Sequence, residues 1–207
     1  ISVPWPASGT STSDPAGDVY NASGQPAGAC PGMDLLGTAA TQSKSKVTIT
    51  LTLNDPPTAS EAATCSGTNA NGGVWGAEFW APSSSGNDNF YVAYRDNPVD
   101  GAPGAEAGTI NSVGTADTFQ SYELVRDESG TFGGTCFTAA GTPSSTPGPC
   151  TVVVTASLSG LGVTKGTLDS LTGLTLYQTG SETQPPLFNV TTSYTNQADA
   201  AAPLEIP

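Results

Sequence analysis

The segment Lys46-Val-Thr-Ile-Thr-Leu-Thr-Leu53 alternates apolar and hydroxylated residues without a break, and it limits what the chain can become. Side chains of a strand point to opposite faces with period two, so Val47, Ile49, Leu51 and Leu53 share one face. Thr48, Thr50 and Thr52 share the other. No long apolar stripe of helical period occurs anywhere in the sequence. Further strands are predicted over 73–80, 89–95, 120–126, 131–138, 151–155, 168–178 and 187–194, with Gly, Pro, Asn and Ser clusters between them. One helical turn is expected over 157–162. Residues 101–117, long and rich in small side chains, read as an excursion from the sheets. Eight or nine short strands predict a single all-β domain, an antiparallel β-sandwich of jelly-roll type. The domain is expected over 14–197, with an N-terminal arm or linker at 1–13 and a C-terminal tail at 198–207.

The 207 residues include 18 acidic and 5 basic side chains and no histidine, for a net charge of −13. Such a field repels phosphate backbones and anionic lipid heads, which argues against nucleic acid and membrane surfaces as partners. The apolar runs, such as 151–155, are too short to span a bilayer. The sequence opens on Ile1 with no basic-then-apolar leader, as expected after removal of a signal or excision from a larger protein. Cys30, Cys65, Cys136 and Cys150 form no C-x-x-C pair, and no histidine is there to complete a zinc site. Disulfides follow, and with them an extracellular or cell-surface location. Four cysteines allow three pairings. Cys30–Cys65 with Cys136–Cys150 is favoured, because the second pair brackets a Pro/Gly/Ser-rich turn; closing it stabilises the fold by ~3 kcal/mol. Asn21 and Asn189 begin N-x-[ST] sequons.

Absence of histidine removes Ser-His-Asp and Cys-His catalysis. No phosphate loop or G-x-S-x-G elbow is present. A glycosidase with two carboxylates ~5 to ~9 Å apart is the remaining enzymatic option, with Glu78 and Glu123 as its nominees. A glutamate on the solvent face of a strand is far more often only a solubilising side chain, and the expectation is a protein without catalysis.

Asp14 and Asp18 sit in Asp14-Pro-Ala-Gly-Asp18, which Pro15 and Gly17 force into a turn, and Asp34 precedes a strand. Carboxylates from loops are the usual donors to Ca²⁺, which takes six to eight oxygens. Asx-turns are the competing explanation for the same residues. Asp14-Pro-Ala-Gly-Asp18, a Pro/Gly loop, Met33-Asp34-Leu35 and a Thr-rich amphipathic strand resemble the opening of a family of bacterial surface β-sandwich modules. These include the C-terminal domain of glucodextranase-type and pullulanase-type enzymes. Looser likenesses are Phe90–Tyr94, Thr151–Thr155, Leu158–Gly162 followed by Gly166, and a closing Asp199-Ala-Ala-Ala-Pro203. The resemblance implies calcium ligation by Asp14, Asp18 and Asp34, with Asp199 as a fourth candidate. It also implies surface attachment or polysaccharide association without catalysis.

Six of the fifteen aromatic rings lie in Trp75–Trp80 and Phe90–Tyr94. Alternation puts Trp75, Ala77 and Phe79 on one face and Gly76, Glu78 and Trp80 on the other, so one set is core. Trp80, Tyr91 and Trp5 are the candidates for a sugar-stacking platform. A second expectation is a filament or surface-layer subunit that joins neighbouring copies of itself through its terminal arm, by strand addition.

Overall fold

Val47, Ile49, Leu51 and Leu53 are fully buried, and the alternate threonines are half-buried on the outer face. The chain was analysed as a computed structural model that describes residues 10–43, 45–58, 60–67, 70, 72–84, 86–96, 103–116, 119–164, 168–183 and 191–200. Its strands are β1 (Thr10–Ser13), β2 (Leu35–Ser43), β3 (Lys46–Leu53), β4 (Gly72–Pro82), β5 (Asn87–Arg95) and β6 (Gly104–Ala116), then β7 (Phe119–Ser129), β8 (Thr131–Gly134), β9 (Cys150–Ser157), β10 (Asp169–Thr183) and β11 (Thr191–Ala200). A short helix, α1 (Glu61–Ser66), follows β3 and ends at Gly67, whose φ of 66° any side chain would resist.

The protein is an all-β sandwich of two antiparallel sheets, as the alternation predicts. One sheet runs β1-β2-β3-β9-β8. The other closes on itself as a six-stranded barrel in the order β10-β11-β7-β6-β5-β4, with β4 returning to β10. Pairing of β3 with β9 holds one register from Lys46↔Ser157 to Leu53↔Cys150.

Two cores result. Trp75, Ala77, Phe79, Phe90, Val92 and Tyr94, on the outside of the barrel wall, pack against the inner face of the five-stranded sheet. Trp75 meets Phe137 edge-on, with ring centroids 5.2 Å apart, and its indole N–H donates to the Gly32 carbonyl at 2.8 Å. The barrel lumen is a separate core of Val74, Tyr91, Ala93, Ile110, Tyr122, Leu124, Leu174 and Leu176.

Several expectations need correction. Residues 104–116 are no excursion: they form β6, a full wall strand whose Ala107 and Gly108 are buried. The strand predicted at 131–138 stops at Gly134, where φ is 103° and the Thr151 carbonyl oxygen lies 2.2 Å from where a Cβ would stand. Residues 157–162 form turns, with Leu161 N–H donating to Ser157 O, rather than helix. Thr10–Ser13, read as part of the arm, pairs with β2, and β11 continues through Ala200 into the segment read as tail. Residues 187–190 of the last predicted strand lie outside the described residues.

Candidate metal centre

The loop between β1 and β2 is organised by Asp34. Gly17, at φ 86°, donates its N–H to both Asp34 oxygens, at 3.0 and 2.9 Å. Asn54, just past β3, donates its side-chain amide to Asp34 Oδ2 at 2.8 Å. The buried Asp34 carboxylate therefore folds the Asp14–Asp18 turn back onto the end of the sheet. The same turn is tied at its start by Asp14 N–H to Leu36 O at 2.9 Å.

Against this turn comes the far end of the chain. Asp199, near the end of β11 and 4% exposed, accepts the Leu35 N–H at 2.8 Å and the Ala200 N–H at 2.8 Å. Oxygens of Asp14, Asp18 and Asp199 lie within 4.8 Å of one another. Asp14 Oδ2 and Asp18 Oδ1 are buried without a hydrogen-bond partner. Burial, then the charges of Asp18 and Asp34, push the Asp14 carboxyl up from 3.8 to about 6. Burial raises Asp199 from 3.8 to about 8, helped by Asp14 and Asp18 and opposed by the Leu35 and Ala200 N–H groups.

Of the four aspartates singled out from the sequence, three thus converge, and Asp34 stands beside them with both oxygens hydrogen-bonded. An all-oxygen donor set suits a hard cation. With Ca–O bonds of about 2.3–2.6 Å, ligands on opposite sides of one ion are about 5 Å apart, so the three oxygens fit a single coordination sphere.

Both favoured disulfides are present, Cys30–Cys65 and Cys136–Cys150, with Cα separations of 6.0 and 5.0 Å. Cys30–Cys65 fastens the end of the aspartate loop to α1, whose Glu61 accepts the Gly32 N–H at 2.6 Å and the Thr58 N–H at 2.9 Å. Asn21 Oδ1 accepts the Ser23 and Gln25 N–H groups, an ordinary Asx-type turn. Asn189 lies outside the described residues.

The aromatic candidates separate. Trp80 is 44% exposed, as expected of it. Tyr91 is corrected: it is 2% exposed, because its parity on β5 turns it into the barrel, where its hydroxyl donates to Glu106 Oε1 at 2.9 Å. No sugar can stack on it from outside. Trp5 lies outside the described residues. Glu78 lies on the lumen face of β4, whereas Glu123 alternates with the lumen residues Tyr122 and Leu124 and faces the other way, so the two are not brought together as a pair.

One feature escaped the sequence reading. Arg95 and Glu106, both buried in the barrel, form an ion pair, with Arg95 Nε donating at 3.1 Å. Arg95 also donates to Gln178 Oε1 at 2.7 Å. The available signal was a charge closing the apolar run Phe90–Tyr94. No family model matches the chain, and neither a curated protein nor a solved structure matches it.

Proposed function

We propose that this protein is a non-catalytic, extracellular, surface- or carbohydrate-associated module stabilised by calcium. Asp14, Asp18 and Asp199 are the protein carboxylates of the site, and backbone carbonyls and water complete the shell. The observation that carries the reading is the convergence of three carboxylates with two of their oxygens buried and unpartnered. Buried like charges at this spacing are unfavourable unless protons or a cation neutralise them. Asp34 acts one step back by holding the loop that presents Asp14 and Asp18. Two disulfides suit an oxidising compartment, where calcium is also abundant.

The test is thermal unfolding in CaCl₂ and in EDTA. A ligand at one hundred times its Kd that binds only the native state stabilises by about 2.7 kcal/mol. For a domain of this size that raises Tm by roughly 5–10 °C. Asp18→Asn and Asp199→Asn should abolish the rise. A Tm that is the same in both buffers would overturn the calcium reading.

A further inference from the structure

One end of the barrel carries an exposed indole above a half-buried polar pair. On β4, Gly76, Glu78 and Trp80 alternate onto the lumen face. The register sets Trp80 opposite Asn89 of β5 and Asp169 of β10, and Glu78 opposite Tyr91 and Thr172. Opposed residues on neighbouring antiparallel strands share a face, so Trp80, Asn89 and Asp169 form one rank near the end of the strands and Glu78 lies one rank deeper. Asn89 Nδ2 donates to Glu78 Oε2 at 3.2 Å, while Asn89 Oδ1 is buried with no hydrogen-bond partner. Tyr91, on the rank of Glu78, and Ile110, Leu124 and Leu174 fill the lumen beside and below them with mostly apolar side chains.

The backbone of the rim is irregular at the same place. β10 bulges between Asp169 and Thr172, and Ser170 there has φ 52°, the one positive value among the described non-glycine residues. Bulges concentrate at barrel rims and beside binding sites, and such conformations persist where the surroundings impose them. Here the bulge lets Leu168 and Leu171 both enter the sandwich core. Among the described residues no other ring stacks on Trp80, which is 44% exposed, and with Tyr20 it is one of the two large apolar side chains left exposed there.

We propose that this mouth binds one ring of an uncharged polysaccharide, with the Trp80 indole stacked on the C–H face of the sugar and Glu78 and Asn89 accepting its hydroxyl protons. A stacking face beside unspent acceptors matches a ligand that is flat and apolar on one side and a hydroxyl donor at its edge. Glu78 and Asp169 at the site, on a chain of net charge −13, reject uronic and sulfated sugars. The inference rests on the reading of an exported surface module, but it does not depend on the metal.

The experiment is calorimetric titration of the protein in CaCl₂ with cellohexaose, maltohexaose and chitohexaose, and with oligogalacturonate as the charged control. At least one neutral hexamer should bind and oligogalacturonate should not. Trp80→Ala, an exposed substitution, should weaken binding roughly tenfold or more while leaving Tm unchanged, and Glu78→Gln should weaken it less. Asp199→Asn, studied below its lowered Tm, should keep the affinity, which separates failure of the calcium site from failure of this one. Binding of none of the neutral hexamers, equal binding by Trp80→Ala, or preference for oligogalacturonate would each overturn the proposal.

Discussion

Stripped of divalent ions, the protein should become less stable as pH rises across the mildly acidic to neutral range. The perturbation is titration of Asp199, whose pKa stands at about 8 in the folded state against 3.8 for an ordinary aspartate. A carboxyl raised on folding keeps a proton that the unfolded chain gives up. Below pH 3.8 both states are protonated and nothing is lost. Between the two pKa values the unfolded state gains, and above about 8 the loss is complete. At about 1.4 kcal/mol per pH unit, the gap from 3.8 to about 8 amounts to roughly 6 kcal/mol. This is a ceiling, since the loop can relax or admit water. Asp14, raised to about 6 but more exposed, acts in the same direction over a narrower window. At about 2–4 °C per kcal/mol for a domain of this size, Tm should fall by roughly 10–20 °C between about pH 4 and pH 8. The assay is scanning calorimetry on metal-free protein across that range, repeated with CaCl₂ and with Asp199→Asn. Calcium should flatten the curve by neutralising the carboxylates. Asn keeps an oxygen for the Leu35 N–H without the charge, so the variant should also be flatter and, when metal-free at pH 8, more stable than the wild type. Equal pH slopes for metal-free wild type and Asp199→Asn would refute the argument, because global repulsion among the acidic residues would then explain the whole effect.

Two further predictions concern the frame around the site. Glu106→Ala leaves the Arg95 guanidinium buried without its carboxylate, and chemical denaturation should show a loss of about 3–5 kcal/mol; the paired change Arg95→Met with Glu106→Leu should cost less than the single one. Opening Cys30–Cys65, which spans 35 residues, should cost ~4 kcal/mol, against ~3 kcal/mol for Cys136–Cys150, which spans 14, and the Cys30→Ser, Cys65→Ser protein should also lose its calcium-dependent Tm rise.

Period-two alternation made β3 and β9 legible because each is buried on a single face. It also split β4 correctly into a Trp75–Phe79 side and a Glu78–Trp80 side. It says nothing about which strands are neighbours, so the closure of β4 on β10 was invisible, and with it the fate of Tyr91. An outer face of an open sheet became the inside of a barrel. β6 was overlooked for a related reason. A narrow barrel accepts Ala107 and Gly108 where a flat sheet would use larger side chains, and small residues read as loop. α1 was missed because six residues are too few to show a helical period. At the candidate site, residue type and position pointed to Asp14, Asp18 and Asp34, and only the family resemblance added Asp199. The distinction between Asp34 and the other three depends on where the Gly17 and Asn54 donors point, which only the folded chain defines.

A ring of paired strands has no open flank. Among the described residues the six strands from β4 to β7, β10 and β11 are paired on both sides along most of their length, so the strands with a whole side unpaired belong to the five-stranded sheet. Among the described residues β1 and β8 border that sheet, each four residues long and on opposite margins. Any polymer of this module joined through its backbone would therefore propagate in one dimension, with the barrels carried along its side.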